Sequence, residues 1–205
     1  VYSIPFADFG ALIDPPSEDV TAHVIEMLAR TGNTPADRKV AEGLAYLRRT
    51  QQPDGSWFGR WGVNHIYGTW CVISALHALY GSGDRLPGRA WRAIRWLLDR
   101  QNADGGWGET CHSYVDTSFA GIGTSTPSQT AWAVMSLQYA GLGQEEACLR
   151  GLNFLRDRQI SGTWDEPQFT GTGFPRDFYI NYHLYRHVFP TMALASEHAG
   201  IGLTR

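Results

Sequence analysis

The sequence predicts an all-α fold in which inner and outer helices alternate along the chain. The first observation is a repeated element that joins an aromatic–Leu pair, a basic residue, a Gln and a final Gly-x-Trp. It occurs as YLRRTQQPDGSW (46–57), WLLDRQNADGGW (96–107) and FLRDRQISGTW (154–164). The second observation is helical apolar spacing before each element, as at Val40, Leu44 and Leu47. Repeats of this kind stack side by side, so we expect part of an (α/α) barrel, or toroid.

Seven helices divide into two sets by their polarity. Apolar helices are expected in the inner layer and amphipathic helices in the outer layer. The apolar helices are predicted at about 16–30, 65–80, 128–140 and 178–198, and the amphipathic ones at about 35–50, 88–101 and 145–158. Two of the predicted helices begin with a capping sequence. Prolines follow a capping residue in DPPS (14–17), and TPSQ (126–129) is a capping box with Pro at the first helical position.

The repeated Gln and Trp side chains are predicted to brace each helix pair against the next. A Gln amide can stack on an indole and bond the backbone groups left open at helix ends. The adjacent glycines permit a close turn. The predicted structural pairs are Gln51 with Trp57, Gln101 with Trp107, and Gln159 with Trp164.

The composition indicates a single globular domain over residues 1–205. Aromatic residues make up 13% of the chain and charged residues only 18%, which excludes a disordered polymer. The 23 glycines show no period of three, which excludes collagen. No apolar run approaches the roughly 18 residues of a membrane-spanning helix. A net charge of −3 without a basic stripe predicts no nucleic-acid partner.

Four stretches of sequence, together with the repeated element, resemble a known family. The element resembles the QW motif of triterpene cyclases. The stretches DGSWFGRWGVNHIYGTW (54–70), QNADGGWGETCHSY (101–114), STPSQTAW (125–132) and FTGTGFPRDFYINYHLYRHVFP (169–190) closely resemble bacterial squalene–hopene cyclases. The resemblance reaches about residue 195. It implies that the chain is the C-terminal part of the catalytic α/α barrel of such a cyclase.

The resemblance implies an enzyme that folds squalene, protonates a terminal double bond and guides a carbocation cascade to hopene or hopanol without a cofactor or metal. The implied partners are squalene, the N-terminal remainder of the cyclase, the membrane surface and a second copy in a homodimer. The implied location is peripheral, on the cytoplasmic side of the bacterial inner membrane, with the isolated chain soluble. The family's acid lies in an Asp-x-Asp-Asp motif, which this sequence lacks, so we expect the chain alone to be inactive.

Three residues are candidates for the initiating acid chemistry. Asp19 and His23 are four residues apart in a predicted helix, so their side chains can meet, and a carboxylate would favour the charged imidazolium. Spacing alone favours an ordinary surface pair on a helix. The resemblance implies that His23 bonds the family's acid with Asp19 in support. It also implies that Tyr67 belongs to the water network of the acid and that Trp61 faces the substrate near the initiation end.

An aromatic series near the end of the chain is the candidate cavity lining. Four rings follow at steps of four, four and three: Phe174, Phe178, Tyr182 and Tyr185. On one helix they would fall within about 80° of arc. Such a stripe is usually core, but aromatic faces also stabilise carbocations without trapping them. The resemblance implies that Phe174 and Phe178 stabilise cations, and that Ile180, Tyr182 and Tyr185 shape the cavity wall.

Two other classes of protein remain open from the residues. A protein prenyltransferase β subunit has a related helical barrel and a zinc ion held by Asp, Cys and His. Here Cys71, Cys111 and Cys148 show no metal-ligand spacing, so the sequence predicts no metal. The third class is a non-catalytic module of the same toroid, which the missing acid motif favours for the isolated chain.

Overall fold

The computed structural model describes residues 14–198. In this part of the chain seven α-helices dominate, with three short 3₁₀ turns at Gly83–Arg85, Cys111–Tyr114 and Thr117–Phe119. The helices are α1 (Glu18–Arg30), α2 (Arg38–Thr50), α3 (His65–Tyr80), α4 (Gly88–Asp99), α5 (Pro127–Tyr139), α6 (Glu146–Asp157) and α7 (Tyr185–His198). The predicted all-α class is confirmed, and the first six helices lie close to their predicted ranges.

The odd-numbered helices form one layer and the even-numbered helices a second layer. In the inner layer α1 packs on α3, α3 on α5, and α5 on α7. In the outer layer α2 packs on α1, α4 on α3 and α5, and α6 on α5 and α7. Helices α3 and α5 are buried along most of their lengths because neighbours cover them on several sides. This position explains why both sequences are apolar all round.

The start of the last predicted helix is wrong. Residues expected at the beginning of a helix over 178–198 form a β-hairpin instead, and α7 begins only at Tyr185. The hairpin pairs β3 (Gly171–Phe174) with β4 (Phe178–Ile180), antiparallel. A second, smaller hairpin pairs β1 (Gln159–Ile160) with β2 (Thr163–Trp164). Of the four rings predicted on one helix face, only Tyr185 therefore lies in a helix.

Local backbone chemistry explains the β3–β4 hairpin. Arg176 adopts a left-handed backbone with φ 77°, which no helix can contain. Gly173 lets the Phe178 ring lie directly against the strand, because a side chain at Gly173 would collide with that ring. Pro175 fixes φ at the start of the turn. These features close the chain back on itself where helical spacing alone predicted a continuous helix.

All three repeated Trp side chains are buried and bond the outer helix that precedes them. Each indole N–H donates to a carbonyl near the end of that helix, and each ring is at most 2% exposed. The bonds are Trp57 Nε1 to Leu47 O at 2.8 Å, Trp107 Nε1 to Leu97 O at 2.7 Å, and Trp164 Nε1 to Leu155 O at 2.7 Å. These contacts support the predicted structural role.

The Gln side chains link each repeat to the next outer helix in two repeats but not in the third. Gln51 donates to Arg89 O at 3.0 Å, at the start of the next outer helix, and to Gly55 O at 2.8 Å. Gln101 makes the equivalent bonds to Ala147 O and Gly105 O, both at 2.8 Å. Gln159 is exposed and is paired through its strand backbone with Trp164. The third element therefore differs from the first two as a brace.

Candidate functional site

The candidate residues gather where α1, the loop before α3 and the β3–β4 hairpin meet. The loop is tied to the hairpin region by two backbone bonds, Val63 N to Thr170 O at 2.9 Å and Thr172 N to Trp61 O at 3.0 Å. The hairpin thus adds strand-like pairing to the edge of the loop. Segments more than a hundred residues apart along the chain are brought to one place.

Asp19 is a loop anchor and does not contact His23 as the spacing predicted. Its carboxylate is fully buried and accepts bonds from Arg60 N at 2.9 Å and Trp61 N at 2.8 Å. Within its own helix turn it accepts from Ser17 Oγ at 2.6 Å and from Val20 N at 2.9 Å. All of its described bonds therefore fix the loop against the start of α1.

His23 contacts α3 instead. Its Nε2 lies 3.2 Å from Tyr67 Oη and 3.5 Å from Cys71 Sγ. The imidazole itself is exposed, whereas Tyr67 and Cys71 are buried. Burial raises the pKa of Tyr67 and of Cys71, so both keep their protons at neutral pH. The imidazole is thus held by two uncharged groups on its Nε2 side.

The sequence prediction missed Cys71, although helical spacing could have found it. Cys71 lies four residues after Tyr67 in α3, so the two side chains share one face of the helix. The same argument applies to Trp70, three residues after Tyr67, whose ring centroid lies 6.1 Å from that of His23. A helical projection around Tyr67 would have named both residues.

An aromatic cluster continues from Tyr67 into the inner layer. The centroid of Trp132 lies 4.9 Å from that of Tyr67 and 6.2 Å from that of Trp70, with the two indoles stacked. Phe189 closes the cluster at 5.2 Å from Trp132 and 5.3 Å from Trp70. Trp132 is fully buried in α5. None of these three rings was singled out from the sequence.

The residues at the start of α7 join this cluster. Tyr185 lies 5.1 Å from Phe189 and 5.8 Å from Trp132, between ring centroids, and burial raises the pKa of Tyr185 to about 12. Tyr182 lies 4.8 Å from Tyr185 and packs on the strand at Gly171. The structure therefore places Tyr67, Tyr182 and Tyr185 in one continuous aromatic group.

The remaining predicted rings form a second group at the hairpin. Phe174 and Phe178 lie 5.7 Å apart between centroids, and Arg60 lies against Phe174 and Trp61. Trp61 is 37% exposed and Phe178 is 41% exposed, so neither is core. Ile180 is half-buried in β4, paired with Gly171.

Two buried carboxylates hold the N-termini of inner helices, and the sequence prediction missed both. Glu109 Oε2 accepts from Ile66 N at 2.9 Å in the first turn of α3, beside Tyr67. Glu166 accepts from Ser128 N at 2.7 Å in the first turn of α5. Each Glu follows its repeated Trp by two residues, so aligning the repeats would have shown the pattern Trp-x-Glu. Carboxylates at helix N-termini are stabilising because they pair with open N–H groups.

The described residues contain neither a candidate metal cluster nor a candidate membrane-spanning helix. Between residues 14 and 198 no three His, Cys, Asp or Glu side chains cluster as a metal site. The zinc-enzyme alternative therefore gains no support from this part of the chain. In the same range no helix has the length and apolar character needed to cross a bilayer.

A groove borders the site beside α1. It encloses about 690 Å³ and is lined by α1, α2 and Trp61. Exposed apolar residues of α1 stand along it, with Val20 44% and Val24 47% exposed. An apolar helix face of this kind usually has a partner.

Comparisons with known proteins give a consistent result. The family model for the squalene-hopene cyclase C-terminal domain matches residues 1–199. A squalene–hopene cyclase of Alicyclobacillus acidocaldarius is 55% identical over 192 residues, which cover 93% of this chain and 30% of that protein. A probable squalene–hopene cyclase of Sinorhizobium fredii is 51% identical over 196 residues, covering 94% of this chain and 30% of that protein. The chain thus spans about 30% of the length of these curated relatives.

Solved structures show the same fold at lower identity. An ent-copalyl diphosphate synthase from Streptomyces platensis matches with a TM-score of 0.62 at 24% identity, over 93% of this chain and 34% of that chain. A type II terpene cyclase from Scytonema in complex with merosterolic acid A matches with a TM-score of 0.60 at 19% identity, over 97% of this chain and 58% of that chain. At these identities the likeness concerns the fold alone.

Proposed function

This chain belongs to the squalene–hopene cyclase C-terminal domain family, and from that premise we propose that it works as part of a longer cyclase polypeptide. In this proposal the complete enzyme protonates squalene and guides a carbocation cascade to hopene or hopanol. The observation that carries the proposal is the contact of His23 with Tyr67 beside a continuous aromatic cluster. Proton transfer uses a positioned group such as an imidazole, cation stabilisation uses aromatic faces, and here the two lie side by side.

His23 serves the initiating acid, which a preceding part of the polypeptide supplies. Its Nε2 is oriented by Tyr67 Oη and Cys71 Sγ, so the ring has a fixed direction between α1 and α3. In the neutral ring with its proton on Nδ1, Nε2 accepts a bond from the Tyr67 hydroxyl; in the charged ring it donates to Tyr67 Oη. In both states the exposed edge of the imidazole is presented to a hydrogen-bond partner outside this chain.

The aromatic groups stabilise the cations that follow. The faces of Phe174, Phe178 and the Tyr182–Tyr185 pair attract a positive carbon more strongly in a dry cavity than at an exposed surface. The raised pKa values of Tyr67 and Tyr185 keep phenolates, which would trap a carbocation, out of this region. The site thus combines cation stabilisation with few strong nucleophiles.

The preceding part of the polypeptide is the proposed partner of α1. The groove beside α1 and the exposed face formed by Val20, Val24 and Met27 need an apolar cover. The curated relatives extend far beyond the region that this chain matches, which supports the proposal that a further segment is available as a cover. Because squalene is insoluble in water, we place the complete enzyme peripherally on the cytoplasmic side of the inner membrane.

The experiment compares the complete polypeptide with this chain alone. Incubated with squalene, the complete polypeptide is expected to yield a pentacyclic product detectable by gas chromatography and mass spectrometry, and the chain alone none. His23→Ala is expected to lower turnover about a hundredfold, the lower range for a positioned acid–base group. His112→Ala is the matched control, since His112 is exposed and contacts Phe119 outside the site. No cyclised product, or full turnover in His23→Ala, would contradict the proposal.

A further inference from the structure

Arg60 is a buried cation that joins three segments around the candidate site. Its side chain is 7% exposed. Nη1 donates to Gly173 O at 3.0 Å in the hairpin, and Nη2 donates to Asp14 Oδ1 at 2.9 Å before α1. Its backbone N donates to Asp19 Oδ2 at 2.9 Å. A single residue thus connects the start of α1, the loop before α3 and the β3–β4 hairpin.

The guanidinium also lies over two candidate site rings, Trp61 and Phe174. Its Cζ lies 4.5 Å from the centroid of Trp61 and 5.3 Å from that of Phe174. Both distances are within the roughly 6 Å range of a cation–π contact, which strengthens when water is excluded. The planar fork of Arg suits this arrangement because it can stack and donate hydrogen bonds at once.

We propose that Arg60 is a positioning and specificity-determining residue of the cyclisation, which sets the planes of Trp61 and Phe174 and thereby where a carbocation is stabilised. This inference rests on the proposed function. The two rings belong to segments far apart in sequence, and the Arg60 guanidinium is the group that lies against both.

The chemistry of guanidinium suits a site that handles carbocations. It carries five N–H donors and no acceptor lone pair, and it stays protonated in proteins. It therefore cannot capture a cationic carbon, unlike an uncharged amine. Asp14 balances its charge at the outer edge of the contact, where the carboxylate is about two-fifths exposed.

Product composition separates positioning from simple stabilisation. If Arg60 only holds the fold together, replacing it lowers the amount of active enzyme but leaves each active molecule with the same products. If Arg60 sets the ring planes, the correctly folded variant stops the cascade early more often. The ratio of incompletely cyclised to fully cyclised products does not depend on the folded fraction.

The experiment uses the complete polypeptide with squalene and three variants. Arg60→Met removes the charge and the fork, and is expected to raise the fraction of incompletely cyclised products about tenfold, as fits the loss of desolvated cation–π contacts. Arg60→Lys keeps the charge and is expected to restore the ratio in part. Arg100→Met is the control, because Arg100 also lies over an indole, 5.8 Å from Trp96, and bonds Ala120 O, but outside the site.

Crystal structures of the Arg60→Met and unsubstituted enzymes provide the second measurement. The Trp61 and Phe174 rings are expected to adopt different orientations in the variant. An unchanged product ratio in Arg60→Met, or unmoved rings, would overturn the inference. An equal change in Arg100→Met would overturn it too. An unsubstituted enzyme that cyclises nothing refutes the proposed function itself, and this inference with it. That result differs from an active enzyme whose product ratio is the same with and without Arg60, which would refute this inference alone.

Discussion

Asp19 illustrates how a single carboxylate takes its role from residues distant in sequence. Its spacing to His23 is correct for a helical pair, yet the carboxylate turns to the N–H groups of Arg60 and Trp61. Two convergent backbone donors with a Ser hydroxyl satisfy a buried carboxylate better than one exposed imidazole can. Nothing in local spacing indicates that a loop forty residues away supplies those donors.

Replacing this carboxylate by an amide tests the anchor. In Asp19→Asn one oxygen becomes an NH₂ group that faces donors instead of accepting from them. We expect the free energy of unfolding to fall by about 1–3 kcal/mol, the cost of unsatisfied buried groups. Urea denaturation measures the change, with Asp157→Asn at an exposed position of α6 as the control. Equal losses in the two variants would contradict the anchoring role.

The buried thiol of Cys148 makes stability depend on alkaline pH. Burial raises the pKa of Cys148 to about 12 in the folded chain, whereas an exposed thiol has a pKa of about 8.5. The protonated thiol therefore stabilises the fold fully below pH 8.5, and this contribution is lost as the pH rises toward 12. The expected slope approaches about 1.4 kcal/mol per pH unit within that window.

Denaturation at several pH values between 8 and 11 checks this prediction. Cys148→Ala is expected to make the decline less steep, because the variant lacks the Cys148 thiol that ionises on unfolding. Cys111→Ala is the comparison, since that thiol is only partly buried and should change the slope less. A Cys148→Ala profile parallel to that of the unsubstituted chain would show that another group carries the alkaline loss.

At the scale of elements, the helices were predictable and the β3–β4 hairpin was not. The helices were predictable because their apolar residues repeat at one period over three or more turns. Over the hairpin two periods fit the same residues. Phe174, Phe178 and Tyr182 stand four apart as on a helix, but Phe178, Ile180 and Tyr182 also alternate as in a strand. The glycines and Pro175 before them disfavour a continuous helix and favour a turn, but the aromatic spacing still matched a helix.

The repeated Gln residues give a matched test of the helix-pair brace. Gln51 and Gln101 each bond the start of the next outer helix, whereas Gln159 is exposed in β1. Gln51→Ala and Gln101→Ala are each expected to lower the free energy of unfolding by about 1–2 kcal/mol, because each loses two bonds to backbone carbonyls. Gln51→Ala also removes the bond that Arg92 Nη2 donates to Gln51 Oε1. Gln159→Ala is expected to change it by less than about 0.5 kcal/mol. Equal effects in all three, measured by chemical denaturation, would show that the brace does not depend on these bonds.

At the scale of the whole molecule, the inner layer ends in two apolar edges. On α1 the exposed residues are Val20, Val24 and Met27; at α7 they are Leu184, Val188 and Met192. Both sets recur at helical steps, so each forms a stripe along one face. These edges are where a barrel built from further helix pairs would continue.

Such edges are expected to make the isolated chain associate with itself. Val24→Glu puts a charge in the centre of the α1 stripe and should shift the chain toward monomer in sedimentation velocity, because burying an unpaired carboxylate is costly. Val115→Glu is the control, at a position 64% exposed outside both stripes. If the unsubstituted chain is already a monomer in sedimentation velocity, the expectation that the α1 stripe must be covered is contradicted.

The Trp-x-Glu carboxylates and the Gln side chains link neighbouring repeats in opposite directions along the chain. Gln51 and Gln101 reach forward to the next outer helix, while Glu109 and Glu166 reach back to the inner helix of the repeat before. The middle repeat, with Gln101 and Glu109, is therefore coupled to both neighbours, and to each through a different layer. In a stacked array, strong coupling between neighbours suppresses states in which one unit is open and the next closed. The arc should consequently melt as one cooperative unit rather than fray from its open ends.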